Sequence, residues 1–154
     1  MTRTGMRFAL VLPIFLAVSL ATAIAFACRT SCKTPSARGA ARAASVAFVG
    51  TITKTTRTEH CDPKHPTWCT RSESYEVAVE GVWKGKVGKT ITVDAGSGAG
   101  DCSIGSLGKN LDSQRWLFFS RATPVTLRIC GGSRRATDPD IAAITADLGA
   151  PTAP

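Results

Sequence analysis

The chain has 154 residues, a length that favours one folded domain. Its 19 Lys and Arg against 11 Asp and Glu give a formal net charge of +8. These cations are scattered, with Arg134-Arg135 the longest run, and no nucleic-acid recognition motif accompanies them. That argues against a nucleic-acid-binding protein and leaves a cationic surface suited to an anionic surface polymer.

Residues 1–27 read as an export signal. Arg3 and Arg7 form a short positive start, 8–26 is apolar apart from Pro13, Ser19 and Thr22, and Ala25-Phe26-Ala27 fits the small-x-small cleavage pattern. An uncleaved membrane anchor is one alternative, since about 20 apolar residues span a bilayer. Acylation of Cys28, giving a lipid-anchored protein, is another, although Ala25 and Phe26 replace the usual leucine and small residue before such a cysteine. Trimming the first 27 of 154 residues leaves 127, with Cys28 at the new N-terminus and no membrane-spanning segment. Removing Arg3 and Arg7 lowers the charge from +8 to +6. All six cysteines, at 28, 32, 61, 69, 102 and 130, follow the cleavage point. An even cysteine count in a secreted or periplasmic chain reads as a disulfide framework, with fifteen pairings open.

The domain is expected over 28–149. Residues 33–44 begin as a linker and end as a short helical or irregular lead-in. Over 45–56, Val46, Phe48, Gly50 and Ile52 alternate with Ala47, Val49, Thr51 and Thr53, the period of a strand, and Gly50 marks a bulge or tight bend. Residues 57–71 are polar and read as a long hairpin connection. A second strand is predicted over 72–83, with Tyr75, Val77, Val79, Gly81 and Trp83 on one face, and a third over 90–95 with Ile91 and Val93 in phase. Trp116-Leu117-Phe118-Phe119 suits a buried strand, with 125–130 as its antiparallel partner. Asp138 as N-cap and Pro139 at the first position open a helix whose Ile141, Ile144 and Leu148 form one stripe, and Gly149 stops it. Residues 150–154 are expected to fray. The predicted fold is mainly β: about five strands in a small closed or nearly closed antiparallel barrel with a C-terminal helix, a sandwich being the alternative.

Catalytic signals are weak. Both histidines lie in one loop, and no serine occupies a nucleophile-elbow setting. Gly96-Ser97-Gly98-Ala99-Gly100 lacks the Lys-Ser/Thr ending of a phosphate loop. Glu76, Glu80 and Asp94 read as solvated strand-face charges rather than an acid–base pair. His60, Cys61, His65 and Cys69 are all metal-ligand types, but exported thiols are usually oxidised, so a disulfide-closed loop is the preferred reading. The expectation is a binding protein, not an enzyme, with no cofactor and no metal of its own.

Two cysteines at the mature N-terminus precede Ala44-Ser45-Val46-Ala47-Phe48-Val49-Gly50-Thr51-Ile52. Then follow Tyr75-Glu76-Val77-Ala78-Val79-Glu80-Gly81-Val82-Trp83-Lys84-Gly85, Cys102 after a glycine-rich stretch, Trp116-Leu117-Phe118-Phe119, and Cys130. This order resembles the netrin-like module and the N-terminal domain of tissue inhibitors of metalloproteinases, in their short bacterial form, across roughly 28–130. The resemblance implies an OB-type barrel and the pairings Cys28–Cys102 and Cys32–Cys130, leaving Cys61–Cys69 to close its own hairpin. It also implies a role. In the animal inhibitors, the amine and carbonyl of the first cysteine chelate the protease's catalytic zinc, and the next side chain enters the specificity pocket. Carried over, Cys28 is the chelating residue, Arg29 and Thr30 are contact residues, and an extracellular zinc metalloprotease is the partner. Here Arg29, Thr30 and Ser31 separate the first two cysteines, where the family has one residue.

Overall fold

The computed structural model describes residues 33–98 and 102–154. The signal segment, Cys28, Arg29, Thr30 and Cys32 lie outside the described residues. The chain runs α1 (Ala37–Ala43), β1 (Val46–Asp62), β2 (His65–Lys84), β3 (Thr90–Gly96), β4 (Arg115–Ser120), β5 (Arg134–Arg135) and α2 (Asp138–Leu148). The five strands form one antiparallel sheet in the order β3-β2-β1-β4-β5. The protein is therefore mainly β with a C-terminal helix, as expected.

The sheet's hydrogen-bonded order is open, with β3 at one end and β5 at the other. Residues 125–130, expected beside β4, run elsewhere. Asp94 N donates to Val125 O at 3.0 Å and Leu127 N to Asp94 O at 2.7 Å, a parallel bridge to β3. The reason lies at the end of β4. The Ser120 hydroxyl accepts from Ala122 N and Thr126 N, folding the chain over the sheet end. The β4 edge is taken instead by Ser133, whose hydroxyl accepts from Phe119 N at 3.0 Å, and by β5.

Both sheet faces are covered. On one lie Phe48, Ile52, Tyr75, Val77, Val93, Phe118 and Leu127. The other carries Ala47, Val49, Leu117 and Phe119 under α1 and α2. The four residues 116–119 thus alternate between two cores, which is why they read as an unbroken apolar run. α1 buries Ala37, Ala40 and Ala41, and its C-cap Ala44 extends the stripe at i, i+3, i+4 and i+7. Ser36 caps it, accepting from Gly39 N. α2 begins one residue earlier than expected as a capping unit: Thr137, not Asp138, is the N-cap, and its hydroxyl exchanges bonds with the Asp140 amide and carboxylate. Ile144 is fully buried, with Ile141 and Leu148 packed beside it.

Two further expectations change. Residues 57–71 are not a loop: β1 and β2 continue as a paired ladder out to Cys61 and Cys69. Polarity there reflects two solvated faces, not irregular backbone. Trp83 leaves the Tyr75 face because Val49 pairs with Gly81 and Gly50 with Val79, so Glu80 is an extra residue that inverts the alternation beyond it. Val82 then points to the Phe48 core and Trp83 to the helix side. The C-terminal tail is also tied down, since Val82 and Thr152 exchange two backbone bonds of 2.9 Å.

Tyr75 locks the loop after Cys102 onto the sheet. Its hydroxyl donates to Glu73 Oε2 at 2.6 Å and accepts from Leu107 N at 2.8 Å. Burial pushes its pKa up to about 12, and the bond to Glu73 adds to the effect. Burial also pushes the Glu73 carboxyl up, but bonds from Tyr75, Ser106 and Arg57 outweigh it and hold that group below its ordinary value. The folded state binds the tyrosine proton more tightly than the unfolded chain. Its contribution is therefore complete below the unfolded pKa of 10.0 and is lost as pH rises toward about 12. The chain has one tyrosine. Phenolate absorbance of the native protein should accordingly rise with a midpoint near 12, and that of the denatured protein near 10. A native midpoint near 10 would contradict the buried bond.

Candidate functional site

Cys28, Arg29 and Thr30, the residues expected to contact a partner, are outside the described residues, but the cysteines expected to hold that segment are not. Cys102 and Cys130 are both disulfide-bonded. They lie on adjacent stretches of backbone: Ile129 N donates to Cys102 O at 3.1 Å, Ile104 N to Leu127 O at 3.1 Å, and Ser103 bridges Arg128. The same change of path that takes 125–130 away from β4 brings these two half-cystines together.

Cys130 also lines a cleft of about 280 Å³ between α1 and the 126–131 segment. Lys33, the first residue of the described domain, stands on its rim. Pro35, Ala40, Ala43, Ala44 and Phe119 are among its lining, and Lys33, Arg121 and Arg128 supply charge with no acidic residue in that lining. The small side chains of α1 leave the space open: an alanine stripe packs close to the sheet yet fills little beside it. Arg121 is fixed by donating to Ala43 O at 3.1 Å. Lys84 Nζ donates to Ala41 O and Arg42 O. Three terminal carbonyls of α1 thus receive cationic donors, as the negative end of a helix favours. Sequence reading missed this cleft. The spacing of Ala37, Ala40, Ala41 and Ala44 was the available signal for the helix that forms its wall.

The other constellations are dispersed. Cys61 and Cys69 face each other across the β1–β2 ladder and are bonded together. A disulfide sulfur lacks the thiolate charge that binds metal, so although Glu59 carboxylate lies with both sulfurs inside a 4.8 Å group, this oxidised arrangement is not a thiolate site. His65 stacks on Trp68 with ring centroids 4.4 Å apart, and His60 pairs with Thr70. Glu80 accepts from Thr51 Oγ1 and Arg115 Nε, both at 2.6 Å, while Asp94 accepts from Gly96 N. These carboxylates have separate structural partners. Gly98 N donates to the Ser103 hydroxyl, bracing the described part of the glycine-rich turn.

Fold and site together define a mainly β domain with two disulfide-bonded cysteines on adjacent backbone segments beside a cationic cleft. No protein-family model matches the chain, and no curated protein matches it. Among the described residues, no helix is long and apolar enough to cross a membrane.

Proposed function

We propose that this is an exported, disulfide-stabilised binding module that engages its partner through an N-terminal ridge beginning at Cys28, and that the partner is an extracellular zinc metalloprotease. The observation that carries the reading is the adjacency of the disulfide-bonded Cys102 and Cys130 at the end of the domain where Lys33 begins it. Two bonded cysteines on neighbouring segments are the anchorage such a ridge requires. A terminus fixed in advance loses little entropy when it binds. In this reading the neutral amine and carbonyl of Cys28 form a five-membered chelate at the open position of the protease's zinc, while Arg29 and Thr30 contact the surrounding pocket. Arg29 fits an acidic pocket, because burying an unpaired guanidinium is costly.

The test compares the native secreted protein, its N-terminus sequenced, with the same protein acetylated there or extended by one residue before Cys28. Native material should inhibit members of a zinc-metalloprotease panel, and blocked material should not. Inhibition unaffected by blocking removes the chelation mechanism. Inertness of native protein that starts at Cys28 removes the inhibitor reading.

The cationic cleft favours a second reading, a cell-envelope module that binds an anionic polymer without inhibiting anything. Lys33, Arg121 and Arg128 meet no acidic residue within that cleft. Raising salt to about 0.5 M should release a polymer held by exposed charges but spare a zinc chelate.

A further inference from the structure

The outer part of the β1–β2 hairpin stands beyond the two cores as a two-stranded arm with chemically different faces. Residues 54–61 pair regularly with 69–76. On one face, Arg57 binds Glu73 at 2.7 Å, Arg71 binds Glu59 at 2.9 Å, and Cys61 is bonded to Cys69. Side chains alternate along a strand. The other face therefore presents the cross-strand pairs Lys54–Glu76, Thr56–Ser74, Thr58–Ser72 and His60–Thr70, and Trp68 follows in the hairpin tip, where the register shifts. Between Lys54–Glu76 at its inner end and Asp62 near the tip, it is a strip of hydroxyl and imidazole groups. Trp68 is 67% exposed, and His65 stacks against it.

We propose that this face binds an uncharged glycan, with one sugar ring stacked on Trp68 and the hydroxyls of neighbouring rings exchanging hydrogen bonds with Thr58, His60, Thr70 and Ser72. Three observations select that partner chemistry. Trp68 and Ile129 are the large apolar residues exposed in the described domain, and Ile129 is on another segment. The arm thus offers one isolated aromatic platform, too little apolar area to enter a bilayer or to nucleate a protein–protein core. The groups around the platform are short, and each hydroxyl both donates and accepts, which matches the paired donor and acceptor character of sugar hydroxyls. Finally, the one cation on this face, Lys54, stands directly opposite Glu76, so the face holds no net positive charge that would recruit a polyanion. Trp68 to Ser72 spans roughly 13 Å along the strand, the reach of a short oligosaccharide. Ion pairs and a disulfide on the opposite face brace the strip, so little freedom is lost on binding.

Co-sedimentation of the full chain with chitin, cellulose, mannan and cross-linked dextran tests the assignment. At least one polymer should retain the protein, equally in low salt and in about 0.5 M salt. Trp68→Ala should cut retention about tenfold, and Trp68→Phe should restore much of it, since a flat aromatic face is what is needed. Thr58→Ala with Thr70→Ala should give a smaller loss. Thermal unfolding of each variant, compared with the parent, separates lost binding from lost folding. The proposal is overturned if no polymer retains the protein, if folded Trp68→Ala binds normally, or if salt abolishes retention. Trp68-dependent sedimentation with phosphatidylglycerol vesicles, in place of the polymers, would reassign the arm to a membrane surface.

Discussion

Phe118→Ala is expected to lower the unfolding free energy by about 3–5 kcal/mol, the cost of removing a fully buried ring and leaving its volume empty. Phe118 is fully buried, and its ring stacks on Phe48 with centroids 5.0 Å apart and planes 21° apart. The two residues are directly opposite on β1 and β4, so the stack joins the central strand to its neighbour. Ile104 and Leu107 of the Tyr75-anchored loop pack against the same core, with Leu107 N donating to the Tyr75 hydroxyl. Against a typical stability of about 5–15 kcal/mol, the loss approaches global unfolding. Urea denaturation read by circular dichroism measures it. Ile129→Ala is the control, since Ile129 is 42% exposed, and its effect should stay within about 1 kcal/mol. Comparable losses for both variants would mean that the stacked rings are not the centre of this core.

Gly50→Ala should cost on the order of 3 kcal/mol, although alanine is the smallest possible addition. A Cβ built at Gly50 would lie 2.6 Å from Ala78 O and 2.7 Å from Val77 Cγ1. The first of these atoms is backbone and belongs to the ladder that must bend at Glu80. Relief would require moving β2 at the position where the sheet inverts its facing pattern. Gly88→Ala supplies the comparison, because its Cβ would meet nothing closer than Thr90 O at 3.8 Å. That variant should unfold within about 0.5 kcal/mol of the parent. Equal stability of the two variants would show that close approach at Gly50 is not required.

Both predictions depend on features that differ in how far the sequence reveals them. Alternation in 46–52 and the apolar run 116–119 made β1 and β4 legible, because both are dictated by which side chains must leave water. Gly50 was legible as a bend, since a glycine amid β-branched and aromatic residues signals close backbone approach. The extra residue at Glu80 was not, because a bulge costs no visible change in residue type. Trp83 was consequently placed on the wrong face. The arm was hidden for a related reason: a ladder solvated on both sides has no apolar period, so 57–71 resembles a loop. At the candidate site, the proposal of Cys28, Arg29 and Thr30 as contact residues rests on resemblance and on cleavage chemistry. Cys102 and Cys130, the cysteines expected to hold them, are visible in sequence only as spacings.

By itself, the chain's pattern determined a β-rich domain with a C-terminal helix, a bend at Gly50 and a buried aromatic strand. Such features follow from local burial and backbone preference. Tertiary structure alone decided that 125–130 crosses to β3, that Cys102 and Cys130 become neighbours, that Thr152 closes onto Val82, and that an alanine helix walls a cationic cleft. Each of these is a pairing between segments far apart in the chain. The partner is selected by which backbone edges and volumes remain unfilled after the sheet has formed, and no local run of residues encodes that remainder.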